Sequence, residues 1–96
     1  MDEMATNARS ASGFLKALSH ETRLMILCHL VSGEKSVSRL EELLDTRQAT
    51  VSQHLARLKQ DGLVDSRREG KAIYYSIADG NALKILEILH AKYCGV

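Results

Sequence analysis

Apolar residues recur every three or four positions in four successive segments of the first two thirds of the chain. This spacing is typical of amphipathic α-helices, in which such positions share one face. We predict that Ser19 and Ser36 cap the second and third of these helices, and that residues 1–9 are polar and frayed. The predicted helices cover residues 8–18, 20–31, 37–44 and 47–61.

The remainder of the chain changes to a strand pattern and then returns to a helix. Residues 63–67 and 72–77 are rich in residues that favour β-strands, and Gly70 lies between them in a short turn. The last predicted helix, residues 79–93, carries apolar residues on more than one face. A terminal helix of this kind needs a second surface, most simply the same helix of a twin subunit.

This order of elements predicts a single winged helix-turn-helix domain over residues 1–96, mainly α-helical with a β-hairpin wing. The reader unit, meaning the helix pair that would dock on a DNA groove, is expected over about 36–61. The wing is expected over about 63–77. The helices over about 8–18 and 79–94 are expected to form a homodimer interface.

The net charge of the 96-residue chain is only +1, but its distribution is uneven. Residues 1–45 carry five basic and seven acidic side chains, whereas residues 46–72 carry six basic and three acidic ones. The basic excess therefore coincides with the reader helix and the wing. Because a local positive field attracts the phosphate backbone of nucleic acid, this segment predicts DNA binding.

Several other classes of protein find little support in the sequence. No apolar run approaches the roughly 18–20 residues of a membrane span. The acidic start, Met1-Asp2-Glu3, is unlike a signal peptide, so we expect a cytoplasmic protein without a membrane partner. A redox enzyme or a protein-interaction module stays a minor alternative, because the chain has no Cys-x-x-Cys pair, no nucleophile with its base and no phosphate loop. No cofactor is predicted.

Polar and basic side chains occupy the part of the fourth helix and of the hairpin that lies away from the apolar stripe. Amides and hydroxyls pair with base edges, and arginine pairs with guanine or with phosphate. A solvated helix face and a soluble hairpin tip are the ordinary alternatives, but the basic hairpin after the helix favours DNA contact. His54 is as suited to packing or capping as to touching DNA. The predicted contact residues are Arg47, Gln48, Thr50, Ser52, Gln53, His54, Arg57, Arg67, Arg68 and Lys71.

Four segments of the chain resemble the ArsR-type transcriptional repressors: LKALSHETRLMILCHL, SVSRLEELL, VSQHLARLKQDGLV and RREGKAIYYSI. The resemblance covers about residues 15–94. It implies a homodimer that binds a palindromic double-stranded operator and that an inducer releases from DNA. It also places Gln48, Ser52 and Gln53 on contact positions of the family. Ala49 departs from the serine that is usual there.

The metal sites of that family are not matched in this chain. The thiolate site uses a Cys-x-Cys pair in the third helix, where this chain has Ser36-Val37-Ser38. The zinc site uses Asp-x-His at the start of the last helix, where this chain has Asp79-Gly80-Asn81. His90 is followed by Ala91, Lys92 and Tyr93, which supply no second ligand at the end of that helix. No metal site of either kind is therefore predicted.

The two cysteines, Cys28 in the second helix and Cys94 at the end of the last, resemble the thiol-sensing branch of the family, the type of SqrR, BigR and HlyU. That branch responds to reactive sulfur species or oxidants by bridging two thiols within a protomer. The resemblance implies that a disulfide or polysulfide between Cys28 and Cys94 lowers operator affinity. The residues themselves leave other interpretations open. Cys28 could serve as a small core residue, and Cys94 could be an incidental thiol. Alternatively, Cys28, Cys94 and His90 together could bind the metal of a metal-responsive repressor.

Overall fold

The computed structural model describes residues 2–94, without the side chains of residues 2 and 94. No helix within this part is both long and apolar enough to cross a membrane. The strands form one antiparallel sheet in the order first, third, second along the chain. The elements are α1 (Asp2–Leu18), α2 (Glu21–Leu30), β1 (Lys35–Ser36), α3 (Val37–Leu44), α4 (Gln48–Gln60), β2 (Val64–Glu69), β3 (Ala72–Ile77), α5 (Gly80–Leu89) and a π-helical turn (His90–Cys94).

This arrangement is the predicted winged helix-turn-helix. The helices α3 and α4 occupy the segment predicted as the reader unit, and β2 and β3 form the hairpin predicted as the wing. The tip of the wing contains Gly70, whose φ of 63° lies in the left-handed region that glycine adopts without strain. The predicted hairpin turn is therefore confirmed at that residue.

The start of α3 agrees with the sequence prediction, and the start of α2 does not. The hydroxyl of Ser36 accepts a hydrogen bond from a backbone N–H of the first turn of α3 at 3.0 Å, as predicted. The prediction that Ser19 caps α2 is wrong, because its hydroxyl donates to the carbonyl of Lys16 and so closes α1. The cap of α2 is His20, whose Nδ1 accepts from the backbone N–H of Thr22 at 3.2 Å.

The first helix begins at Asp2 rather than near residue 8, so the segment predicted to be frayed is helical. Its first half is exposed and carries few apolar side chains, which is why hydrophobic spacing did not reveal it. Local propensity accounts for this turn instead. Met4 and Ala5 are good helix formers, and the acidic side chain of Glu3 near the N-terminus favours the helix dipole.

Two further elements were not predicted. The strand β1 has two residues, and it pairs with β3 through Lys35 opposite Tyr75 and Ser36 opposite Tyr74. A segment this short shows no period-two alternation, so its pairing follows from tertiary contact rather than from pattern. The π-helical turn replaces the last turn of the predicted α-helix. Turns of this kind are rare and occur often at functional sites.

A single apolar core joins the helices to the sheet and fixes the orientation of α4. Val51, Leu55 and Leu58, the predicted inward stripe of α4, are fully buried. The opposite face of α4 therefore points to solvent. The largest fully buried side chains are Ile26, Leu27, Leu40, Leu55, Leu58, Leu86, Val51 and Val64.

The terminal helices keep large apolar side chains in solvent. Leu15 on α1 is 58% exposed, and Ile88 on α5 is 70% exposed. Tyr93 in the π-helical turn is similarly exposed. These side chains belong to the two helices predicted to form a homodimer interface, which stays a prediction.

Candidate functional site

The solvent side of α4 carries polar residues that the sequence assigns to DNA contact. Gln53 is exposed and lies opposite the buried stripe, while Gln48 and Ser52, one turn apart, are exposed beside it. Arg47 immediately precedes the helix and is exposed as well. Thr50 is half-buried. The helix thus presents amides, a hydroxyl and a guanidinium in the direction from which a groove would approach.

A polar cleft of about 140 Å³ separates the start of α4 from the wing. Gln48 and Ser52 line one side of it, and Lys71 at the wing turn lines the other. Ser36 and Ser38, at the start of α3, also line it, together with the apolar residues Val37, Ala72 and Ile73. An ammonium group next to hydroxyls and an amide is the chemistry that holds a phosphate oxygen. The fold therefore brings Lys71 of the wing close to Gln48 and Ser52 of α4, a proximity that the sequence alone does not predict.

His54 packs inside the protomer. Its ring lies 4.5 Å, centroid to centroid, from the ring of His20 at the start of α2. Burial lowers the pKa of His54, and the nearby charges of His20 and Arg23 lower it further. The packing role that the sequence left open thus has a structural partner, and a contact between His54 and DNA stays a prediction.

Arg57 lies near the far end of α4, beside α1. Its Nε donates to a carboxylate oxygen of Asp61 at 3.0 Å. Both residues line a cleft of about 400 Å³ whose other wall is formed by Phe14 and Lys16 of α1. Arg57 is partly exposed, so DNA contact remains a prediction for it, but its ion pair belongs to the α1 side of the helix.

The two arginines of the wing differ in their surroundings, although they are adjacent in the chain. Arg67 forms ion pairs with Glu34 and Glu69. Arg68 is exposed, and among the side chains of residues 3–93 no carboxylate lies within salt-bridge distance of it. Successive residues of a strand point to opposite faces, which accounts for the difference.

Some contacts at this site were missed by sequence reasoning. Glu34 is 33 positions away from Arg67, and Lys59 on α4 donates to the hydroxyl of Ser66 on β2 at 2.7 Å. The basic count of the segment included Lys59, but no periodic pattern indicates a partner on the wing. Both contacts depend on the strand register, which the sequence did not specify at this detail.

Cys28 is buried in the middle of α2 and is 8% exposed. It borders a cleft of about 220 Å³ that is also lined by Met25, His29 and His90. The helices α2 and α5 pack against each other, so the first residue of the π-helical turn reaches the same cleft. The backbone of Cys94 ends that turn, and the side chain of Cys94 lies outside the described part.

The electrostatics of the cysteine cleft favour a neutral imidazole. Burial lowers the pKa of His29, and the charges of Lys35, Arg39 and His90 lower it further. Within the part of the chain that the structure describes, no group of three or more His, Cys, Asp or Glu side chains is placed to hold a metal ion.

Comparison with known proteins identifies the family of this fold and surface. The family model described as bacterial regulatory protein, arsR family, matches residues 20–66. Over 91 residues the chain is 45% identical to the biofilm growth-associated repressor of Agrobacterium fabrum. The aligned region covers 95% of this chain and 78% of that repressor. The chain belongs to the arsR family of bacterial regulatory proteins.

Two solved structures support the same assignment. Reduced HlyU from Vibrio cholerae matches this arsR-family chain with a TM-score of 0.93 at 40% identity, covering 98% of this chain and 99% of that one. The homodimeric winged helix-turn-helix DNA-binding domain of Mb0332 from Mycobacterium bovis matches with a TM-score of 0.83 at 32% identity, covering 96% and 85%. The predicted fold is thereby confirmed.

These likenesses identify the protein as a DNA-binding regulator of transcription. Its relatives named above are regulators rather than enzymes. The chain is similar in sequence both to that repressor, at 45% identity, and to HlyU of Vibrio cholerae, described as a transcriptional activator, at 40% identity.

Proposed function

We propose that this arsR-family protein is a homodimeric repressor that binds a palindromic operator and releases it when Cys28 and Cys94 are bridged. The inducer is a reactive sulfur species or an oxidant, and the bridge is a disulfide or a polysulfide. The observation that carries the proposal is the cleft at Cys28. Its lining includes His90, from which a five-residue π-helical turn leads to Cys94.

The DNA half of the proposal rests on the exposed polar face of α4 and on the cleft beside the wing. In the proposed complex, α4 enters the major groove, and Lys71 and the first turn of α3 hold a phosphate at the edge of the groove. The predicted contact residues that are exposed and that we propose to touch DNA are Arg47, Gln48, Ser52, Gln53, Arg68 and Lys71.

The dimer half rests on the apolar side chains of the terminal helices. Burying Leu15, Ile88 and Tyr93 against a second copy removes them from water, and a leucine or isoleucine side chain contributes roughly 1.5–3 kcal/mol when it passes from full exposure to full burial. A two-fold dimer places two α4 helices on successive major grooves, about one helical turn (~34 Å) apart. The Mb0332 domain, described as homodimeric, provides a precedent of the same fold.

The environment of Cys28 supports chemistry with a sulfur donor. A thiol must lose its proton to attack, and a neutral imidazole such as that of His29 is a proton acceptor. Transfer of a sulfane sulfur from a low-molecular-weight persulfide converts one cysteine to a persulfide and releases the donor as a thiol. Attack by the second thiolate on the inner sulfur then forms a disulfide and releases hydrogen sulfide.

Two other reactions can bridge the cysteines. Condensation of two cysteine persulfides gives a trisulfide and hydrogen sulfide. A peroxide instead removes two electrons and two protons from the two thiols, which form a disulfide. Hydrogen peroxide is thereby reduced to two waters, and an organic hydroperoxide to an alcohol and one water. Sulfur retained in the chain therefore identifies a sulfur donor as the inducer, whereas a plain disulfide forms with either inducer class.

The experiment uses a fluorescein-labelled duplex that the reduced wild-type protein selects from a random-sequence pool, referred to as the selected duplex. We expect glutathione persulfide to lower wild-type affinity by roughly 5- to 150-fold, the range typical of allosteric coupling. Cys28→Ser and Cys94→Ser proteins should keep their affinity under the same treatment. If both variants still release the duplex, the sensing proposal is wrong.

Intact mass and zinc titration complete the experiment. Loss of two hydrogens marks a disulfide, and added sulfur marks a polysulfide. A tight, stoichiometric zinc complex of the reduced protein, lost in both cysteine variants, would instead indicate a metal-responsive repressor that uses Cys28, Cys94 and His90.

A further inference from the structure

Arg67, in the middle of β2, is surrounded by partners from its own chain. Its Nε donates to the two carboxylate oxygens of Glu34, at 3.2 and 2.9 Å, and its Nη2 donates to the same carboxylate. Its Nη1 donates to a carboxylate oxygen of Glu69 at 2.8 Å. The guanidinium carbon lies 4.6 Å from the centroid of the Tyr74 ring. These four residues form the wing brace, in which every nitrogen of the guanidinium is directed at a protein group.

The strand register explains why the four residues meet. Arg67 stands opposite Tyr74, and Tyr74 stands opposite Ser36 on β1, so the three share one row and one face of the sheet. Glu34 precedes β1 and reaches the same face two positions before Ser36. The wing brace therefore spans the sheet from β2 across β3 to β1, and it ties the wing to the segment that leads into α3.

The opposite face of the sheet carries the groups that face the reader helix. Ser66 and Arg68 alternate with Arg67 along β2, and Ser66 accepts the hydrogen bond from Lys59 of α4. Arg68 is thus on the α4 side of the wing, whereas Arg67 is on the far side. A phosphate held between α4 and the wing would meet Arg68 and Lys71 before Arg67.

The charges of the wing brace also argue against an arginine that is free to bind phosphate. Hydrogen bonding to Arg67 lowers the pKa of Glu34, and Glu34 and Glu69 raise the pKa of Arg67. Arg67 and Glu34 are therefore both charged at neutral pH. A guanidinium that left for phosphate would give up a two-pronged contact and would leave two carboxylates uncompensated next to the polyanion.

We propose that Arg67 is a positioning residue, and that the wing brace holds the wing at the angle that places Arg68 and Lys71 beside α4. The inference rests on the proposed binding to DNA, for which it assigns a role to one wing arginine. A two-stranded hairpin is only marginally stable on its own. Only two residues of β1 pair with β3, and the wing brace adds a side-chain tie that reaches β2.

Replacing Glu34 separates the two roles of Arg67 by the sign of the effect. If Arg67 contacts phosphate, Glu34→Gln frees the arginine, removes a negative charge near DNA and strengthens binding. If Arg67 positions the wing, Glu34→Gln loosens the wing and weakens binding in spite of the lost negative charge. Since both side chains are partly exposed, we expect the affinity for the selected duplex to fall roughly threefold.

Arg67→Lys provides a second, independent measurement. Lysine keeps the charge that a phosphate contact needs, but it lacks the planar fork that engages Glu34 and Glu69 together. We therefore expect Arg67→Lys to weaken binding to a similar extent as Glu34→Gln, and the double variant to be no weaker than either single one. The matched control is Glu42→Gln, which removes the same charge from a surface ion pair with Arg39 on α3.

A direct readout of the tie comes from the Nε–H of Arg67, whose exchange with solvent should be slow in wild type and fast in Glu34→Gln. Circular dichroism checks that the helices are intact. Binding by Glu34→Gln that equals or exceeds wild type, or wild-type affinity of Arg67→Lys, would overturn the proposal. A wild-type protein that selects no duplex would refute the proposed function instead. Exchange at Arg67 Nε would then still decide whether the wing brace closes.

Discussion

Arg67 and Arg68 illustrate how much one residue's surroundings decide about its role. Both belong to the basic stretch that predicts DNA binding, and the sequence treats them alike. Strand alternation separates them, because it turns Arg67 toward Glu34 and leaves Arg68 on the side of α4. His54 is a similar case on the reader helix, since its ring meets His20. Composition located the basic surface, but only the register and the packing distinguish its members.

At the residue scale, Arg68→Gln should weaken binding to the selected duplex uniformly across sequences. Because the proposed dimer would lose two phosphate contacts, one from each protomer, the slope of log affinity against log salt should fall in magnitude by about 1.8. Arg9→Gln is the matched control, because that arginine is exposed on α1, lies outside the predicted contact residues and should leave the slope unchanged. Fluorescence anisotropy over a salt series measures both. An unchanged slope for Arg68→Gln would exclude it as a phosphate contact.

At the scale of elements, the sequence predicted most of the fold from spacing alone. α4 and β3 have their expected bounds to within a residue, because apolar stripes and β-branched runs report burial directly. The start of α1, the strand β1 and the π-helical turn were missed. These elements depend on propensity without burial, or on contacts between segments far apart in the chain. The cap of α2 was missed for a related reason, as His20 acts through a contact that pattern does not encode.

The burial of His54 on α4, reinforced by the nearby charges of His20 and Arg23, lowers its pKa and should make folding stability depend on pH. The pKa of His54 is lowered in the folded protein from its ordinary value of 6.5. As the pH falls below 6.5, the unfolded chain therefore binds a proton at His54 more readily than the folded protein does. Stability should therefore be fully present above about pH 6.5 and should fall as pH decreases toward the folded pKa. His29 contributes in the same direction.

Urea unfolding between about pH 7.5 and about pH 5.5 tests this dependence, in a range above the titration of Glu34. The pH slope should be shallower in His54→Gln and nearly flat in a protein that also carries His29→Gln. Gln60→Glu, at an exposed position of α4, is the control that should keep the wild-type slope. A His54→Gln protein with the full wild-type slope would mean that this ring does not contribute.

For the whole molecule, the two proposed ends of the switch meet at the last helix. The cleft at Cys28 lies between α2 and the π-helical turn, and that turn continues α5, whose apolar residues face solvent. A bridge at this cleft would therefore act on the helix that is proposed to join the two protomers. Because each protomer presents one α4, a small change of angle at the interface misplaces both readers relative to successive grooves.

Ile88→Glu places a charge on the exposed apolar face of α5 and should convert the proposed dimer to a monomer. A lone protomer reaches only one half-site, so its affinity for the selected duplex should fall by 100-fold or more, in line with lost bivalency of about 10²- to 10⁴-fold. Sedimentation velocity gives the oligomeric state and anisotropy gives the affinity. Gln60→Glu adds the same charge away from α5 and should remain dimeric. A dimeric Ile88→Glu protein with wild-type affinity would place the interface elsewhere.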